Sequence, residues 1–118
     1  MSFAAPKQSS PIFTQTYDLL RWLLPATLNF PKSQRGVLAR RLQYHAFTFY
    51  ELLVDAAMSD APEPTLRAAD RTLTKLRHYL RLSRELGLLK PGQYEHVSKM
   101  VVEIGRLLGG WLKKVRSS

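Results

Sequence analysis

Seven prolines, at positions 6, 11, 25, 31, 62, 64 and 91, divide the 118-residue chain and restrict what it can become. Proline has no N–H to give to an interior helical hydrogen bond, and it disfavours helical backbone at the residue before it. Pro31, the Pro62/Pro64 pair and Pro91 therefore each end one segment and begin another. Gly87 and Gly92 flank the last break, where a helix C-cap and a turn belong. The stretches between these marks are long and rich in Leu, Ala and Arg, and no alternating β-branched run occurs anywhere. The punctuation predicts four helices, over about 13–29, 33–59, 65–86 and 93–116, after a flexible N-terminal segment of residues 1–12. Pro25 falls inside the first of them, which is expected to kink there or to end early.

Periodicity gives the helices their inner faces. Leu66, Ala69, Leu73, Leu76 and Leu80 recur at alternating spacings of three and four, and Tyr94, Val97, Val101, Ile104, Leu108, Trp111 and Val115 do the same in the last segment. Each set falls on one narrow helical stripe, the seam of a bundle. Leu38, Leu42, Phe49, Leu53 and Ala56 form the corresponding stripe of the second segment. Because the breaks are short, consecutive helices should run antiparallel. The expected fold is all-α: a single-domain, up-down-up-down antiparallel four-helix bundle over residues 13–118, with its last three helices about 33–40 Å long.

The charge balance points to a partner. Eighteen Lys and Arg against nine Asp and Glu leave a net charge of +9, which suggests a polyanion. On the third helix Arg67, Arg71, Lys75 and His78 share one outward stripe, with Arg77, Arg81 and Arg84 beside the seam. Between residues 67 and 90 the only acids are Asp70 and Glu85. Lys99, Arg106 and Lys113 recur every seven residues on the fourth helix, and Arg40 and Arg41 open the second. Such stripes are either solvated faces or phosphate-binding surfaces, and arginine's planar fork suits the latter. Arg67, Arg71, Lys75, Arg77, Arg81, Lys99, Arg106, Lys113, Arg40 and Arg41 are the candidate nucleic-acid contacts.

A second apolar stripe on helix two, Phe47, Tyr50, Val54, Ala57 and Met58, points away from its seam. It either packs under the apolar first helix or joins protomers, since a bundle this small has a limited core. Gly105 and Gly109 lie on one flank of helix four, where another backbone can approach; otherwise the helix ends near Gly109. Phe47, Tyr50, Val54, Met58, Gly105 and Gly109 are the candidate oligomer contacts.

Chemistry is hard to find. The chain has no cysteine, which excludes disulfides, thiolate catalysis and zinc–thiolate sites. It carries no glycine-rich phosphate loop, no Glu-x-x-His pair and no His-x-x-x-His. Its three histidines, His45, His78 and His96, fall on different helices. Arg40 to His45 and Arg71 to His78 match the loose Arg-to-His spacing of helical HEPN ribonucleases, but such spacings arise readily in an arginine-rich chain, and the polar residue of that family does not follow. No catalytic residue, metal, cofactor or small-molecule substrate is expected. The opening, Met1 to Pro11, lacks the apolar core of a signal peptide, and no apolar run approaches membrane length, so a cytoplasmic protein without membrane contact is expected.

One resemblance spans most of the chain. Tyr17-Asp18-Leu19-Leu20-Arg21-Trp22-Leu23-Leu24-Pro25, followed by Asn29-Phe30-Pro31-Lys32-Ser33-Gln34-Arg35, resembles the opening of the Avd family, the accessory variability proteins of diversity-generating retroelements. Glu51 to Ala56 is similar to that family's helix-two ending, and Glu103-Ile104-Gly105-Arg106-Leu107-Leu108-Gly109-Gly110-Trp111-Leu112-Lys113 to its close. Lys32 stands where arginine is usual, and Leu107 where methionine is common. The resemblance implies a basic four-helix bundle that assembles as a homopentamer and has no catalysis of its own. It also implies binding to the retroelement's reverse transcriptase and to RNA and DNA, in support of mutagenic cDNA synthesis. The alternative is a stand-alone structural or generic RNA-binding bundle, of the type encoded in ribosomal RNA intervening sequences.

Overall fold

The computed structural model describes residues 10–117, apart from the side chains of Gln34 and Arg35. Helix α1 is Pro11–Leu28, α2 covers 32–57, α3 is Glu63–Glu85 and α4 is Pro91–Ser117. The chain is an all-α, up-down-up-down four-helix bundle, with no strand among the described residues. The main contacts run α1–α2, α2–α3, α3–α4 and α4–α1, so the helices close into a ring around one core. The bundle measures 46 × 27 × 21 Å.

Three helices begin two residues earlier than the prolines suggest, at 11, 63 and 91 instead of 13, 65 and 93. The first N–H groups of a helix have no intrahelical acceptor, so a proline in the first turn sacrifices nothing. Pro11, Pro64 and Pro91 each occupy that turn, so they sit inside their helices. Residues 1–9 of the expected N-terminal segment lie outside the described residues.

Pro25 does not end α1, which continues to Leu28. The proline faces solvent, so the carbonyl one turn earlier, at exposed Arg21, can turn to water. Two residues on, the buried Thr27 hydroxyl donates to the Leu23 and Leu24 carbonyls at 3.0 Å each. Gln43 Nε2 of α2 then donates to Thr27 Oγ1 at 2.9 Å, tying the two helices together beside the proline.

The expected seams form the core. Leu66, Ala69, Leu73, Leu76 and Leu80 of α3 are buried, as are Val97, Val101, Ile104 and Leu108 of α4 and Leu38, Leu42, Phe49, Leu53 and Ala56 of α2. Tyr94, Trp111 and Val115 are only half-buried at the two ends of the α4 stripe. A π-helical turn, Arg35–Ala39, lies near the start of α2. It inserts a residue into the helical phase, so the consecutive Leu38 and Ala39 both reach the core before the α-helical stripe resumes at Leu42. Gly87, with φ at +77°, closes α3 in left-handed backbone, and Leu88 N–H donates across it to the Ser83 carbonyl at 2.8 Å.

Candidate nucleic-acid interface

The ten candidate cations fall into two groups. Arg67 donates to Glu63 Oε2 through Nε at 3.0 Å and Nη2 at 2.7 Å. Arg81 Nε donates to Glu85 at 3.1 Å, and Lys99 Nζ lies 3.4 Å from Glu95. Arg106 grips Glu103 with both prongs, at 3.0 and 2.6 Å. That hydrogen bond, more than the bare charge, holds the Glu103 carboxyl below its usual range. All four pairs are exposed and within one helix, at spacings of three or four residues. A paired guanidinium has already spent its fork on a carboxylate and offers less field to a phosphate.

Among the described residues, no carboxylate lies within ion-pair distance of Arg40, Arg41, Arg71, Lys75, Arg77 or Lys113. Two of these come together across the α2–α3 contact. Arg41 lies over the Tyr79 ring of α3, 5.9 Å from its centroid, and Lys75 and Arg41 both bear electrostatically on His45. Arg40 precedes Arg41, and Arg71 stands one turn before Lys75, all four being exposed. The Arg67–Arg71–Lys75 stripe is therefore divided, with its first member neutralised by Glu63 and its other two exposed and in no ion pair among the described residues. Counting acids only from residue 67 onward misses Glu63; the Glu-to-Arg spacing of four was the available signal.

Arg77 leaves the basic face and reaches across to α4. A Cβ on Gly105 would collide with the Arg77 guanidinium. Gly105 thus makes room for a side chain of the neighbouring helix within the same chain. Gly109 has nothing within 4 Å of such a Cβ, and α4 runs past it to Ser117.

The second apolar stripe of α2 is also divided. Tyr50 meets α1, its ring centroid 6.3 Å from Phe13 and 6.4 Å from Tyr17, and Val54 is half-buried against the core. Ala57 is buried. Phe47 and Met58 remain exposed, at 41% and 60%. The α1 cover applies to the middle of the stripe and leaves its two ends open.

The histidines are scattered. His45 is buried and stacks on Tyr79, with centroids 5.5 Å apart and planes 10° apart. Burial first, and then Lys75 and Arg41, push its pKa below the usual imidazole value, so the ring is neutral at pH 7. His96 packs near Trp22, at 5.6 Å, and His78 is exposed on α3. Among the described residues no three metal-ligating side chains converge.

The residues that carry the sequence resemblance are therefore the frame of this bundle. A bAvd-like family model matches residues 11–115, covering all four helices. The chain belongs to the bAvd-like family. It is an Avd-type accessory protein. A comparison with curated proteins finds no significant match. No helix among the described residues is long and apolar enough to cross a membrane.

Proposed function

We propose that this Avd-type protein is a non-catalytic accessory subunit of a diversity-generating retroelement, which binds the element's reverse transcriptase together with template RNA and cDNA and supports mutagenic cDNA synthesis. The family match over residues 11–115 carries the reading. The cations Arg40, Arg41, Arg71 and Lys75 support it, since among the described residues none of them is in an ion pair, which leaves their charge on one face of a +9 chain available to a polyanion. Binding is through phosphates, weakly sequence-selective and steeply salt-dependent, and the protein works in the cytoplasm as a homo-oligomer, a pentamer by family resemblance. Repetition of the basic face in each protomer turns a modest attraction into avidity.

The test is reconstitution. Purified protein, its reverse transcriptase and template RNA should give cDNA together, and neither protein should do so without the other. A reverse transcriptase equally active without this protein would contradict the reading and leave a generic RNA-binding bundle. Light scattering should give a mass several times 13.5 kDa, whereas a clean monomer at micromolar concentration would remove the oligomer from it.

A further inference from the structure

Beside the unpaired cations lies an open cleft of about 490 Å³, lined by Arg40, Arg41, Gln43, Tyr44, His45 and Phe47. None of these residues is acidic. Tyr44 is 64% exposed and Phe47 41%, so both leave ring surface open to solvent beside two arginines. Neither ring is explained by the core.

The Tyr44 ring is also held in place. It packs in a T-shaped pair with His45, with centroids 5.3 Å apart and planes at 72°, and His45 in turn lies flat on Tyr79 of α3, the ring that Arg41 also overlies. The open ring therefore stands on a ladder of rings that bridges two helices, rather than on a loose rotamer. Tyr17 is also exposed, at 54%, and packs against the Tyr50 ring, but its groove contains Asp18 as well as Arg21.

We propose that the Arg40–Tyr44–Phe47 cleft is a stacking site for an unpaired base of single-stranded nucleic acid, with Arg40 and Arg41 taking the adjoining phosphates. The inference rests on the reading that the chain binds nucleic acid, and it adds which form of strand is preferred and why. Every base has a π-face, so stacking on Tyr44 and Phe47 is tolerant of sequence, while the arginines follow the backbone. A duplex keeps its bases stacked on each other and can use only the arginines. Single strands are thereby preferred.

The experiment compares an unstructured RNA oligonucleotide with an RNA duplex of equal length, each titrated at several salt concentrations against the full-length protein, Tyr44→Ala, Phe47→Ala and Tyr44→Phe. Tyr44→Ala is expected to weaken single-strand binding about tenfold, Phe47→Ala somewhat less. The salt slope and the duplex affinity should not change, because the phosphate contacts remain. Tyr44→Phe keeps the ring and should bind like the parent, which separates stacking from loss of the hydroxyl or of the fold. Equal losses on single strand and duplex, or no loss in Tyr44→Ala, would overturn the stacking site while leaving nucleic-acid binding intact. A loss accompanied by a smaller mass in light scattering would also overturn it, by showing that the rings meet a second copy of the chain. A parent protein that binds neither RNA would contradict the broader proposal itself.

Discussion

Arg40, Arg41, Arg71 and Lys75 on the α2–α3 face, and Arg67, Arg81, Lys99 and Arg106 along α3 and α4, are two sets of four exposed cations. They differ in their neighbours. Each member of the second set has a glutamate three or four residues away and touches it, whereas among the described residues the first set has no carboxylate within ion-pair distance. Arginine content alone is thus a poor guide to where a polyanion will sit. On the proposed reading, what counts is charge left over after the helix has paired its own residues, and on that measure the α2–α3 face is the stronger candidate.

The largest effect should come from reversing that face. Arg41→Glu with Lys75→Glu is expected to lower RNA affinity by roughly a hundredfold at about 0.1 M salt, with a shallower salt dependence. The helical circular dichroism should be unchanged, because both residues are exposed. Filter binding at several salt concentrations measures it. A folded double variant that binds like the parent would move the site to the paired set.

A smaller change should turn the weaker region toward the stronger. Glu95→Gln with Glu103→Gln frees Lys99 and Arg106 without adding a positive residue. Affinity for RNA should rise, about threefold, in the same assay. No gain would mean that those carboxylates do not restrain their partners.

Much of this fold was legible because its signals are local. The α3 seam, Leu66 to Leu80, is written in spacings of three and four and is buried throughout. The helix starts were legible only in part, because a proline reads as a break although the first helical turn accepts it. The π turn at Arg35–Ala39 left no mark that a period of 3.6 could show. The ion pairs were present in the sequence as Glu63/Arg67 and Glu95/Lys99, at a spacing that favours contact on one helix. The His45–Tyr79 stack was not legible. It depends on the register between α2 and α3, which no local pattern encodes.

Two glycines of α4 compare a filled site with an open one. Gly109→Ala is expected to raise unfolding free energy by about 0.5–1 kcal/mol, since nothing opposes the new methyl group and alanine favours the helix. Gly105→Ala should gain less, because the Arg77 guanidinium must move aside. Chemical denaturation gives both values. An equal gain at the two positions would show that Arg77 does not need its place over α4.

The smallest effect concerns pH. His45 binds protons less readily when folded than when unfolded, so between its lowered native pKa and about 6.5 the unfolded chain carries more protons. Its contribution is complete above that range and is lost as the pH falls through it. Stability should therefore decline on acidification from pH 7, and the decline should be shallower in His45→Gln. Denaturation midpoints at pH 5 and 7 measure it, and an identical pH dependence in the variant would rule His45 out as the cause.

The most direct test removes charge equally from the two regions. One variant replaces Arg40, Arg41, Arg71 and Lys75 with alanine, and the other replaces Arg67, Arg81, Lys99 and Arg106, so that each lowers the net charge from +9 to +5. RNA binding is measured against salt concentration for both. The first variant should bind far more weakly than the parent, with a log–log slope flatter by about 0.7 for each phosphate it no longer neutralises. The second should stay close to the parent in affinity and in slope. Equal weakening in the two variants would show that binding follows net charge alone and that the unpaired α2–α3 face has no special part in it.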